Sequence, residues 1–260
     1  MFASVVQPGR VAPSASTTSA VAALFVYECE RDGPGVSIPR PEVHLVARFG
    51  PSARDGLDVH AFGGRERVHR KVIRSGQRTV TARLRLGVTD AVLGVPASAM
   101  AARIVALEDL WGEAATRRLR EQLAHASDPI GAARILERAI AERLTAADER
   151  SARAELALAA ADRLTTSNVR AVADELSVSE RHLRRVFRET VGMSPKSFTK
   201  LTRFHRALQV ARRDARATWA SVAAVAGYYD QAHLITDFRA IAGVTPRALL
   251  GELGAAPSLG

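Results

Sequence analysis

The chain has 260 residues, 47% of them hydrophobic, which is enough for two domains of ordinary size that each bury a core. Its formal charge is +10, from 37 basic and 27 acidic residues with only three lysines, an excess that suits an anionic partner. The single cysteine, Cys29, excludes an internal disulfide framework and a four-cysteine zinc module, and no run approaches the ~20 apolar residues of a membrane span.

Residues 1–20 are mostly Ala, Ser, Thr, Val and Pro with one charge, Arg10. That composition predicts a disordered leader and lacks the basic start of a secretory signal, so a cytoplasmic protein is expected. From Val21 the texture changes to short apolar segments separated by Gly and Pro. Strands are expected at Val21–Glu28, Val43–Phe49, Leu57–Phe62, Arg67–Ile73 and Thr79–Leu86. In the last, Val80, Ala82, Leu84 and Leu86 alternate with Thr79, Thr81, Arg83 and Arg85, which predicts one packed face and one wet face. Gly-Pro, Gly-Gly and Ser-Gly at 33–34, 63–64 and 75–76 read as turns.

After Val88 the pattern turns helical, with helices expected at Glu108–Ala126, Pro129–Leu144 and Asp148–Leu164, the second capped by Asp128. The stretch Leu144–Arg150 is the expected boundary between halves. The fold class is α+β: an N-terminal regulatory domain over 21–147, mostly antiparallel β and then helical, an all-α domain over 148–252, and a flexible tail over 253–260.

The C-terminal half states one pattern twice. Phe187-Arg188-x-x-x-Gly192-x-Ser194-Pro195 returns 51 residues later as Phe238-Arg239-x-x-x-Gly243-x-Thr245-Pro246. Leu183 and Leu234 stand four residues before each Phe, on the inner face of one helix. Val172-Ala173 and Val222-Ala223 open an earlier apolar turn in each copy. Short helix, turn, second helix, Gly stop and Ser/Thr-Pro restart is the helix-turn-helix pattern. The segment from Asp162 onward holds 15 basic and 9 acidic residues, against 22 and 18 in the rest, so the duplicated part is the more basic per residue. Between the copies, Ser194-Pro195 starts a helix through about Arg212, on the order of 25 Å long.

These residues resemble the AraC/XylS transcription regulators, over roughly Arg153–Leu250. The most telling run is Gly227-Tyr228-Tyr229-Asp230-Gln231-Ala232-His233-Leu234 with Phe238-Arg239 and Gly243-Val244-Thr245-Pro246. The resemblance implies two recognition helices that read successive major grooves of double-stranded DNA. It implies base or phosphate contacts from Ser179, Arg181, Arg184 and Arg185 in the first, and from Gln231, His233 and Thr236 in the second. Arg grips phosphate and pairs with guanine, and Gln, Thr and His can meet base edges. Ser179 and Asp230 would cap the two helices. One departure is Ser177, which stands where the family usually has Gly, so a residue with a Cβ is expected at positive φ. The segments Leu93–Ser98 and Val105–Gly112 resemble one subgroup of the same regulators. They imply architecture without a ligand.

Double-stranded DNA is thus the expected partner, with RNA polymerase and an unassigned small-molecule effector beside it. Leu110, Leu119, Leu123, Ile130, Ile135, Leu136, Ile140 and Leu144 exceed what one small sheet needs, which favours a homodimer through the N-terminal half. No cofactor or metal is expected, because His44, His60 and His69 lack ligand spacing and read as isolated, solvent-facing residues. Few convergent polar groups support a ligand pocket. Cys29 reads as buried and inert, Trp111 and Trp219 as core, and Gly33-x-Gly35 and Gly63-Gly64 as turns without a phosphate loop. The chain is therefore expected not to be an enzyme. The rival reading is a DNA-repair alkyltransferase-type protein with the same double motif, which would need Cys29 as its nucleophile.

Overall fold

The computed structural model describes residues 6–14, 20–146, 152–214, 216–255 and 258–259. Its architecture is α+β, as expected. Six strands form one antiparallel sheet: β1 (Val6–Val11), β2 (Val21–Cys29), β4 (His44–Phe49), β5 (Leu57–Phe62), β7 (Arg78–Leu84) and β8 (Ile104–Ala106), in the order β1-β2-β7-β4-β5-β8. A second sheet joins β3 (Gly33–Ser37) to β6 (His69–Ile73), with the short β9 (Ser258–Leu259) parallel on the outside of β3.

Period two gives the large sheet two unlike faces. Val80, Ala82 and Leu84 of β7, with Leu45, Ala47, Val59 and Ala61 of the neighbouring strands, are buried in one apolar cluster. Helices cover that face: α1 (Thr89–Leu93), α2 (Ala97–Met100), α3 (Glu108–Trp111), α4 (Glu113–Ala124) and α5 (Pro129–Ala146). Leu119, Leu123, Leu136 and Ile140 are at most 3% exposed there, and Leu110, Ile135 and Leu144 pack against the same cluster. The apparent surplus of leucines is ordinary core; of those residues only Ile130 stays exposed. Asp128 caps α5 by accepting from Gly131 N at 2.8 Å. Gly112, at φ 81°, divides the expected helix 108–126 into α3 and α4.

The opposite face carries Thr79 and Thr81, expected to be wet, together with His44, Val46, His60 and Phe62. It looks across to β6 and encloses a cavity. His44, His60 and His69 converge on that cavity and are not isolated. They lie 16 and 9 residues apart in sequence, yet alternate strand positions aim all three inward. His60 is buried and His44 half-buried, against the expectation of solvent-facing side chains, and His69 is exposed. No metal-holding group of His, Cys, Asp and Glu exists among the described residues.

The C-terminal half is all helical: α6 (Ala152–Arg163), α7 (Val169–Glu175), α8 (Glu180–Val191), α9 (Pro195–Arg213), α10 (Trp219–Ala226), α11 (Gln231–Ala242) and α12 (Pro246–Ala255). Most of the expected boundary at Leu144–Arg150 lies outside the described residues, between α5 and α6. Each half builds its own apolar cluster, and the one built by α6–α12 also takes in Val36 and Ile38 of the β3 segment. Two further expectations change. Residues 6–11 are not a disordered leader but an edge strand on β2, from Val6 opposite Cys29 to Val11 opposite Leu24. The tail after 252 continues α12 to Ala255 and adds β9 to β3.

Three imidazoles held largely out of solvent tie this fold to pH. Burial, then the charges of neighbouring arginines, pushes His44 down to about 3 from 6.5, and burial likewise takes His60 and His205 to about 4. His205 must carry its proton on Nε2, because that atom donates to the Pro39 carbonyl at 2.7 Å. Each folded pKa is depressed, so the stability these groups contribute is complete above about pH 6.5 and is lost as the pH falls towards 4. Thermal unfolding followed by circular dichroism is expected to shift to lower temperature between pH 7 and pH 5, above the range where Asp32, Asp58 and Asp128 titrate. A flat profile over that interval would mean that the imidazoles are not held out of solvent as described.

Candidate nucleic-acid interface

Each copy of the repeated pattern folds as a helix pair on a shared frame. In the first, Leu183, Val186 and Phe187 of α8 are fully buried; in the second, Leu234 and Phe238 of α11 are. Phe204 of the connecting helix α9 meets Phe238 with ring centroids 4.6 Å apart, and Phe198 meets Phe187 edge-on at 5.3 Å. At 19 residues, α9 is about 28 Å long, so it spaces the two units as a strut.

Capping follows the sequence residue by residue. Ser179 accepts from His182 N at 3.2 Å and Asp230 from His233 N at 2.7 Å, which fixes the start of α8 and α11. Gly192 and Gly243 close the same helices at φ 85° and 72°. A Cβ on Gly192 would lie 2.9 Å from the Ala97 carbonyl oxygen, so glycine also lets α2 approach the end of α8. Ser194 and Thr245 restart the chain by capping α9 and α12, accepting from Ser197 N and Ala248 N. Ser177 does adopt φ 55°, where the second copy has Gly227 at 83°. That residue costs about 1 kcal/mol relative to glycine without altering the turn.

Arg181, Arg184, Arg185 and Arg188 occupy i, i+3, i+4 and i+7 of α8 and form one exposed stripe opposite the buried face. They are not equally available. Arg184 is held by Glu180 at 2.7 Å, whereas Arg185 lies 3.7 Å from Glu189 and 3.4 Å from the His182 ring. Arg181 and Arg188 have no ion pair among the described residues. The 51-residue offset places Ala232, Ile235, Thr236 and Arg239 on the matching stripe of α11. Thr236 sits within it, although its hydroxyl already donates to the Ala232 carbonyl at 2.9 Å. Gln231 is exposed on one flank and the half-buried His233 on the other. A reading for polarity alone does not pick out Ala232 and the half-buried Ile235, which the repeat offset places on the same stripe.

His233 is engaged from behind. Its ring stands edge-on to Tyr228 at 5.3 Å, and Nε2 lies 4.0 Å from Asp237. Asp237 is 6% exposed and also faces Lys200 at 3.2 Å and Arg203 at 3.6 Å, both on α9. This cluster ties α11 to the strut. Nothing in the linear pattern marks Asp237, whose position in the first copy is held by Val186. Asp237→Ala would leave two half-buried cations without their anion. It is expected to cost about 3 kcal/mol in chemical denaturation, as removal of one partner from a buried pair does. A loss within ~0.5 kcal/mol would show that the cluster does not hold α11 in place.

Residues 172–251 match a protein-family model described as a helix-turn-helix domain. No curated protein sequence matches the chain. Among solved structures, the chain is similar to a DNA-binding transcriptional dual regulator from Escherichia coli K-12, at 23% identity over 39% of this chain and 91% of that one, with a TM-score of 0.33. It is also similar to wild-type ToxT from Vibrio cholerae strain SCE256 in its unsaturated-fatty-acid-bound form, at 9% identity over 89% and 95%, TM-score 0.44. A third likeness is ToxT from Vibrio cholerae O395 bound to (E)-4-(8-methylnaphthalen-1-yl)but-3-enoic acid, at 7% identity over 96% and 99%, TM-score 0.45. The family match spans the second helix pair and nearly all of the first, so residues 172–251 of this chain form a helix-turn-helix domain, with the duplicated caps and arginine stripe described above.

Proposed function

We propose that α8 and α11 enter two successive major grooves on one face of double-stranded DNA and bind it sequence-specifically. The observation that carries this reading is the pair of matching stripes on two equivalent helices, exposed apart from the half-buried Ile235, separated by a strut of about 28 Å. With the offset of each helix pair from the strut ends, that length suits the ~34 Å repeat of the duplex. The stripes divide the work. Arg181, Arg185 and Arg188 supply charge for phosphate and guanine, while Gln231, Thr236 and the apolar Ala232 and Ile235 suit base edges and thymine methyls. Ser179 leaves first-turn amides of α8 open to phosphate, whereas the Asp230 carboxylate would repel it, so Asp230 acts as a cap. His233 is a weaker base reader than its sequence position implies, because Tyr228 and Asp237 hold its ring.

The reading is of a non-catalytic protein that works where the DNA is, with RNA polymerase as its downstream partner. Against the alkyltransferase alternative, the Cys29 thiol is 2% exposed, donates to the Arg31 carbonyl at 2.8 Å, and sits on β2 in the half that lacks the recognition helices. Among the described residues no helix is long and apolar enough to cross a membrane. The argument for a homodimer weakens, because the leucines that motivated it are buried within one chain.

Binding of the full chain to a selected DNA site is expected to weaken with salt, with a log–log slope of about −0.9 per phosphate contacted and roughly four to eight contacts. In the same assay Arg185→Ala is expected to cost about 1–3 kcal/mol and relax one base position, whereas Arg188→Ala weakens all sequences alike. A slope near zero would remove DNA binding from the account. Equal loss of specificity in both variants would misplace α8 in the groove.

A further inference from the structure

The two helix pairs repeat one pattern, but their turns differ in length. Backbone hydrogen bonds set the alignment. In the first turn Ser177 N donates to the Asp174 carbonyl at 3.1 Å and Val178 N to the Ala173 carbonyl at 3.0 Å. The same two bonds recur 50 residues on, from Gly227 N to Ala224 at 3.2 Å and from Tyr228 N to Ala223 at 2.9 Å. At the next helix the offset is 51, with Leu183 N donating to Ser179 and Leu234 N to Asp230. The second turn therefore carries one extra residue, Tyr229, between the left-handed glycine and the cap of α11. Val178 and Tyr228, the matched pair, both pack on the helical core.

The fold makes no use of that extra ring. Tyr229 is 95% exposed, whereas Tyr228 beside it is 5% exposed. An aromatic ring is among the largest apolar surfaces a side chain can bury, and here it is left in water. Its place is the amino end of α11, and the two units differ there in charge. Ser179 caps α8 with a neutral hydroxyl, so phosphate can approach that end, whereas Asp230 caps α11 with a carboxylate that repels it. The stripe of α11 has a single cation, Arg239, which lies two turns further along. Gln231 is exposed at the amino end, but it is the group assigned above to a base edge. The phenolic hydroxyl of Tyr229 is a donor that the fold leaves free to meet phosphate beside Asp230.

We propose that Tyr229 anchors the amino end of α11 to DNA, its hydroxyl donating to a phosphate oxygen at the edge of the groove that α11 enters. Tyrosine is one of the side chains that donate to phosphate in protein–DNA interfaces, and such contacts fix register and orientation without reading sequence. Tyr229 is thus a positioning residue: it sets how α11 sits, and so which of its side chains reach base edges. The proposal rests on the groove placement of α11 given above. Because the donor is neutral, the contact releases no counterion and leaves the salt dependence to the arginines.

The test is fluorescence-anisotropy titration of the full chain, wild type and Tyr229→Phe, on a duplex selected from random sequences, at several salt concentrations. Tyr229→Phe is expected to weaken binding about tenfold, as loss of a hydrogen bond to a charged group does, with the salt slope unchanged. Arg188→Ala, by contrast, is expected to lower that slope by about one. Tyr229 is exposed, so its variant keeps the thermal unfolding of the wild type. Neutral methylphosphonates placed one at a time across the second half-site locate the partner. At one position the loss of affinity is expected to be about tenfold smaller for Tyr229→Phe than for wild type, which a merely structural role would not produce. If wild type binds but Tyr229→Phe binds as tightly, changes the salt slope, or loses as much as wild type at every methylphosphonate, the proposal is overturned and the groove reading stands. If wild type binds no duplex, both fall.

Discussion

Strand β6 has to satisfy two neighbours at once, and its period of two lets it do so. His69, Lys71 and Ile73 point into the cavity. The alternate residue Arg70 points the other way, donating to Glu252 at 2.8 Å and to the Ala242 carbonyl at 2.9 Å, while Val68 N at the strand's approach donates to the Ile241 carbonyl at 2.9 Å. One wall of the cavity is therefore also the surface against which the second helix pair rests. The partly exposed Arg70–Glu252 pair is worth about 1 kcal/mol at most. Burial of Val36 and Ile38 in the helical core, at about 1.5–3 kcal/mol per side chain, dominates the attachment. A sheet that carries two such apolar residues into another core cannot be peeled away without exposing both.

The duplication separates the shared frame of the helical half from the surface that differs between its two copies. Both copies keep the buried Leu and Phe, the N-cap, the left-handed glycine and the Ser/Thr-Pro restart, since each serves the frame. What differs between the copies is the exposed stripe. In α8 it is four arginines, three of them available or loosely held; in α11 it is Ala, Ile, Thr and Arg. Charge is thus concentrated on one helix and short side chains on the other. Asp237 belongs to the frame, since it fixes the azimuth of α11 from the inside through Lys200 and Arg203.

Local patterns were the legible part. Strict alternation in 79–86 announces β7, Asp128-Pro129 announces α5, and the displaced Ser177 announces its own positive φ. Long-range pairings were not legible. Gly33–Ser37 looks like a turn because its partners, β6 and β9, lie about 35 and 220 residues away. Val6–Val11 looks like a leader because only β2 makes it a strand. His44, His60 and His69 carry no ligand spacing, and their convergence requires the strand order β7-β4-β5 and the β6 ribbon opposite. The leucines of α4 and α5 look surplus until the area of a six-stranded sheet is available to absorb them. Of the site residues, Arg181, Arg184 and Arg185 stand on the exposed stripe named from sequence. His233 is held back by groups that no linear motif reveals.

The claim at the centre of this account is that one chain presents two recognition helices at a fixed spacing. Hydroxyl-radical footprinting of the full chain on a site selected from random duplexes tests it most directly. Two protected patches about one helical turn apart on one face of the DNA are predicted, with tight binding lost when about five base pairs are inserted between them. A single protected patch, or binding indifferent to that insertion, would contradict the account.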